Sequence, residues 1–145
     1  MYPYSSFMFY VESEGINVAQ FSEVNGLQIE IETESYQEGG KNNFVHIFPK
    51  GIKYQPLVLK RGITDNEELW NWYKDVRDGK IDRKNVTIRM YRSYKDMKNN
   101  EAKGRSWTFQ KAYPIKWTGP ALKADSNTIA FESIEFVHQG IVDSK

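Results

Sequence analysis

"GLQIEIETESYQEGG", residues 26–40, decides how the rest of the chain is read. Leu27, Ile29 and Ile31 alternate with Gln28, Glu30 and Glu32, and Glu34 and Glu38 follow before Gly39 and Gly40. Strict alternation predicts a β-strand with unlike faces, because successive side chains leave the pleat on opposite sides. The strand is expected over residues 26–37, with Leu27, Ile29 and Ile31 packed on the core and a row of carboxylates facing water. "QEGGKNN" then reads as a turn-rich loop, and "FVHIFPKG" as its closing arm.

Outward from this stretch the chain is rich in strand patterns. Phe7, Phe9 and Val11 alternate before a turn at "ESEG", and "INVAQFSEVNG" continues as a short strand or loop. Leu57 and Leu59 share a face beyond Pro56, which lacks a donor and marks an edge or a bulge. Val86, Ile88 and Met90 oppose Thr87, Arg89 and Tyr91. Trp107, Phe109, Tyr113, Ile115 and Trp117 fall on one parity. In "NTIAFESIEFVHQG" the apolar parity shifts from Ile129 and Phe131 to Ile134 and Phe136, which predicts a bulge near Glu132 and Ser133.

One helix interrupts the strands, predicted over about residues 65–78. Thr64 and Glu67 have capping-box spacing, and Gly79 is placed to end the helix. Leu69, Trp72, Tyr73 and Val76 follow the i, i+3, i+4, i+7 rule and are expected to pack on the β domain. Glu67, Glu68 and Asp75 are expected to turn away. The reading is thus a single mainly β domain over residues 1–145, seven or eight strands in a barrel or sandwich with one helix.

Bulk composition narrows the function. Twenty basic against nineteen acidic residues leave a formal charge of +1, no footprint for nucleic acid or an anionic membrane. Zero cysteines exclude disulfides and thiolate zinc sites. "MYPYSSFMFYVESEG" has no basic n-region and meets a charge at Glu12, so no signal peptide is expected. No apolar run approaches the ~18 residues of a spanning helix, and no membrane anchor is expected.

The candidate chemistry is sparse. His46 and His138 have no ligand partner at short spacing and read as satisfied or half-exposed side chains. Glu30, Glu32 and Glu34 mimic a glycosidase pair only in type. Two-apart side chains on one strand face lie about 6.5 to 7 Å from each other, and nothing else marks a sugar cleft. "QEGGKNN" lacks the Lys-Ser/Thr of a phosphate loop. The basic residues from Arg89 to Arg105 are broken by Asp96 and Glu101, as in a solvated hairpin. "ELWNWY" reads as core aromatics rather than a ligand platform. No catalytic set, cofactor or metal site emerges.

Three stretches together resemble one family. "FSEVNGL", "LKRGITDNEELWNWYKDVRDGKI" and "KWTGPALKADSNTIAFESIEFVHQGI" are similar to the inner-tube proteins of contractile phage tails and of phage-tail-like contractile injection systems. The resemblance runs in order over nearly the whole chain, while "YKDMKNNEAKG" matches no motif. It implies a non-enzymatic subunit, made in the cytoplasm, that forms six-membered rings stacked into a tube inside a sheath. The implied partners are other copies, sheath, baseplate or spike and terminator proteins, and DNA or protein cargo in the lumen. If six subunits give four strands each, the ring closes about 24, beyond the porins that already enclose an aqueous channel.

On that reading Gln28, Glu30, Glu32 and Glu34 line the lumen, with Lys53 or Lys60 across from the glutamates. Gly39, Gly40, Lys41, Asn42, Asn43, Phe44 and Phe48 form a loop that contacts the next ring. Two other classes stand beside it, a lipocalin-like carrier with an apolar cavity and an OB-like nucleic-acid binder with a basic groove.

Overall fold

The structure, a computed structural model, describes residues 8–14, 16–19, 21–37, 45–91, 105–124 and 129–143. Its strands are β1 (Met8–Ser13), β2 (Ile16–Ala19), β3 (Glu23–Asn25), β4 (Ile29–Gln37), β5 (Val45–Tyr54) and β6 (Leu57–Gly62). The helix α1 (Glu68–Arg77) follows, then β7 (Lys84–Tyr91), β8 (Arg105–Thr118), β9 (Phe131–Val137) and β10 (Ile141–Asp143). Ten strands are therefore described, more than the alternation alone revealed. All pairings among them are antiparallel.

β8 organises the body because it changes partners half-way. Its first half lies between β7 and β10, and its second half pairs with β9. The break falls near Lys111, a non-glycine residue at φ 50, whose amide donates to Asn85 Oδ1 at 3.1 Å. One side of the bend continues through β7 to β1 and β2, the other through β9 to β6 and β3. The expected single parity for Trp107 to Trp117 is therefore wrong. The irregularity at Lys111 resets it, so that Phe109, Ala112 and Pro114 are buried and Ile115 is exposed.

Apolar side chains from both halves fill the space between them. Leu57, Leu59, Val86, Phe109, Ile134 and Phe136 are each at most 2% exposed. Burying each such side chain stabilises the fold by about 1.5–3 kcal/mol. One charged pair sits among them. Arg61 and Glu132 face each other in the β6–β9 register at 5% and 6% exposure, Nε donating to Oε1 at 2.6 Å. Trp117 Nε1 donates to the other carboxylate oxygen at 3.1 Å, and Arg61 Nη2 donates to the Asn66 carbonyl at 3.2 Å. Glu132 thus occupies an inward position, and β9 runs in unbroken register with β6. The bulge expected at Glu132 and Ser133 does not exist; the irregularity lies in β8, between Pro114 and Lys116, across from Phe136 and Glu135 of β9.

α1 is shorter than the predicted span and is capped differently. The Thr64–Glu67 capping box is absent. Asn66 Oδ1 accepts the Glu68 amide at 2.9 Å, while Thr64 Oγ1 accepts that of Asn66 at 3.2 Å. The C-terminus closes at Gly79, φ 96, with Gly79 N donating to Val76 O and Lys80 N to Asp75 O at 3.1 and 2.7 Å. That pair of bonds is the Schellman arrangement, which needs a left-handed residue at Gly79. Leu69 and Trp72 are buried, with Tyr73 and Val76 half-buried against the same core. Trp72 lies 5.1 Å from the Phe136 ring and donates to the Asp82 carbonyl at 3.0 Å. Trp70 meets Trp117 at a tilt of 58°, ring centroids 4.7 Å apart. Glu68 corrects the expected outward face: its Oε2 is buried.

Two outcomes follow from this packing. Trp72→Ala should lower unfolding stability by about 3–5 kcal/mol through the cavity it leaves, read by chemical denaturation. Tyr10 and Tyr91 stack at 5.4 Å with their hydroxyls 3.0 Å apart, and burial, then the hydrogen bond, pushes the Tyr10 phenol up to about 12. Below pH 10 the neutral phenol's stabilisation is fully present; above it the unfolded chain loses its proton first, so stability falls as pH rises toward 12. Tyr10→Phe should flatten that alkaline loss in a pH series of melting curves, whereas an unchanged slope would assign it to other groups.

Candidate assembly site on the exposed hairpin

β4 and β5 pair only with each other, as a hairpin outside the main sheet. Its root is fixed where it leaves the body. Gly26 has φ 104, and a Cβ there would meet the Pro56 carbonyl oxygen at 2.1 Å. No side chain fits, so glycine is required by both conformation and space. Pro56 is thus the end of the hairpin's return arm, between β5 and β6. Leu27, just beyond the root, borders a cleft of about 330 Å³ with Phe9, Val24, Met90 and Trp107.

The expected burial of Leu27, Ile29 and Ile31 is contradicted. They are 43%, 55% and 60% exposed, because the strand lies outside the main sheet and, among the described residues, pairs only with β5. The alternation is real, but it describes two faces that both meet solvent in the isolated chain. Glu30 lies across from Lys53, Glu32 from Gly51 and Glu34 from Phe48. Lys60 is not across from this row; it pairs with Glu23 in the β3–β6 ladder. Among the described residues no cation lies within 4 Å of Glu30, Glu32 or Glu34.

The register shift after Glu32 sorts the two faces. Ile29, Ile31, Thr33 and Ser35 of β4 lie across from Tyr54, Ile52, Pro49 and Ile47 of β5. Lys50 is the extra residue, skipped between Gly51 and Pro49. Without it Ile47 and Ile52, five positions apart, would point to opposite faces; with it they join Ile29 and Ile31. One face is mostly apolar, interrupted by Thr33 and Ser35, with Ile47 and Ile52 at 64% and 62% exposure. The other carries Glu30, Glu32, Lys53 and Glu34, then Phe48 and His46, whose rings stack at 6.1 Å. Gln28 precedes the strand and is exposed, its amide donating to the Gly26 carbonyl at 2.8 Å.

The inter-ring loop needs one correction. Phe48 is a strand residue of β5, in register with Glu34, because the hairpin extends further than the Gly-Gly loop suggested. Gly39, Gly40, Lys41, Asn42, Asn43 and Phe44 lie outside the described residues, as does the tip "YKDMKNNEAKG". Sequence reasoning missed Ile52, Tyr54 and the Lys50 bulge; Pro49 and Gly51 flanking Lys50 were the available signal. His138 is satisfied, its Nε2 within 2.9 Å of the Gln55 carbonyl oxygen and its Nδ1 accepting the Gly140 amide at 3.3 Å. The interior offers no carrier cavity among the described residues, since Phe109, Phe136 and their neighbours fill it.

Residues 5–142 match the model of the family described as "T4-like virus tail tube protein gp19". The chain belongs to this tail tube family. It is a structural subunit of the inner tube of a contractile tail or tail-like injection system. No curated protein sequence matches it. Among solved structures, a chain of "Cryo-EM Structure of an Extracellular Contractile Injection System, PVC sheath/tube terminator in extended state" superposes at TM-score 0.82. It is 23% identical and covers 100% of this chain and 99% of its own. A chain of the anti-feeding prophage baseplate, 6-fold symmetrised, gives TM-score 0.81 at 22% identity, covering 99% and 97%. Hcp1 from Flavobacterium johnsoniae gives 0.61 at 14%, covering 94% of each chain. At these identities the likeness is one of fold.

The exposed isoleucine face makes the hairpin a candidate assembly surface, which two substitutions test. Ile31→Asp should leave the monomer folded, since Ile31 touches no core residue, yet abolish tubes in negative-stain micrographs and sedimentation. Replacing Glu30, Glu32 and Glu34 together with glutamine should leave tubes of normal length. Tubes from the aspartate variant would show that this face is not buried by assembly.

Proposed function

We propose that the subunit closes into six-membered rings, that the rings stack into a tube, and that the β4–β5 hairpin lines its lumen. The observation that carries this is the hairpin itself, two strands that among the described residues pair only with each other and expose Ile29, Ile31, Ile47 and Ile52 on one face. An unpaired edge of this length invites indiscriminate association unless each edge has a designated neighbour. Ring closure provides one, and it covers Ile29, Ile31, Ile47 and Ile52 at the same time. The 6-fold symmetry named for the similar prophage baseplate agrees with this stoichiometry.

The face bearing Glu30, Glu32 and Glu34 then looks into the channel. A hydrated carboxylate wall gives apolar or nucleic-acid cargo little to adhere to. Mutual repulsion along the row stays modest where the Debye length is about 8 Å, and Lys53 opposite Glu30 reduces it further. On this proposal residues 39 to 44 contact the next ring. Sheath, baseplate and terminator proteins are the expected partners, as named for the similar injection-system structures. The tube acts as conduit and penetrating element without enzymatic activity of its own.

Single cysteines at positions 30, 32 and 34 of assembled tubes test the lumen assignment. They should react with small thiol reagents and resist polymer-linked reagents too large to enter. Cysteine at position 31 should resist both. Equal labelling of the glutamate positions by large and small reagents would put that face on the outside of the tube.

A further inference from the structure

We propose that the void between α1 and β1 is a binding site for a single water molecule that ties the helix to the sheet. The void measures about 20 Å³ and is lined by Ser13, Arg61 and Glu68 together with Leu59, Trp72 and Phe136. A cavity needs roughly 10–15 Å³ of such volume to admit one water, and two to four polar partners to hold it. Both conditions are met. Ser13 Oγ and Glu68 Oε2 are buried side-chain oxygens with no hydrogen-bond partner among the described residues, and both residues line this one void.

The chemistry of the lining selects the occupant. A purely apolar void of this size would stay dry, whereas two unpaired oxygens left without a partner are costly. A serine hydroxyl can donate to the water, and the water can donate to the Glu68 carboxylate. Water, which both donates and accepts, satisfies the two together. A metal cation would also attract the carboxylate, but the Arg61 guanidinium lines the same void and already supplies a positive charge there. Ser13 ends β1 and Glu68 opens α1, so one water links strand to helix beside Arg61 of β6. This inference does not depend on how the subunits assemble.

A high-resolution map of the full-length protein, as crystals or tubes, should show one peak within hydrogen-bond reach of Ser13 Oγ and Glu68 Oε2. An empty void, a direct Ser13–Glu68 hydrogen bond, or a peak with cation-like contacts of about 2.3–2.5 Å would overturn the proposal. Melting curves give an independent reading. Ser13→Ala and Glu68→Met should each lower Tm by about 2–4 °C, and the double variant should fall no further than either alone. Glu68→Gln, which keeps a polar partner, should retain the peak and most of the Tm. Fully additive losses in the double variant would show that the two side chains share no water.

Discussion

The buried pair Arg61–Glu132 is the constraint around which the body is arranged. Two charges in an apolar core are tolerated only when every remaining donor and acceptor finds a partner, and here the partners come from distant segments. Trp117 reaches the second carboxylate oxygen from β8, and the Asn66 carbonyl receives the guanidinium from the turn that opens α1. Phe21, ahead of β3, lies under the guanidinium at 5.4 Å. One ion pair thereby fixes the β6–β9 register, the position of the helix and the approach of the chain to β3. An apolar pair of similar volume could supply comparable stability but would not demand these particular neighbours.

The hairpin obeys the opposite logic. Among the described residues β4 and β5 pair only with each other, and their isoleucines stand exposed. In the proposed assembly that apolar area becomes favourable on association, contributing to the tube rather than to the fold. The body can therefore be complete and well packed while the molecule still carries a large unpartnered face.

The helix was legible because its apolar side chains recur at helical spacing and a glycine follows it. The parity of β9 was misread because Glu132 sits inward; a pattern rule that equates buried with apolar has no place for a paired acid. Along β8 the fault was Lys111, whose positive φ resets alternation and carries no compositional mark. The β4 alternation was read correctly as strand, yet alternation states only that two faces differ, not what covers either. β5 was obscured by Pro49, Lys50 and Gly51, a bulge flanked by two poor strand formers. Of the assembly site, the carboxylate row was visible in one strand, while the apolar face needed the register of both.

The contact of Gly26 with Pro56 has a mechanical consequence. The two backbones meet there with no room for a side chain between them. A strand the length of β4, nine residues, is a lever of roughly 30 Å at about 3.3 Å per residue. A tilt of about 5° at its root would move the tip by roughly 2.6 Å, more than half the ~4.8 Å spacing between paired strands. A neighbour's edge could not follow such an error around a closed circle, where small deviations accumulate from one copy to the next. If the hairpins join in the proposed ring, the absent Cβ at position 26 acts as a manufacturing tolerance on how accurately identical parts can be joined.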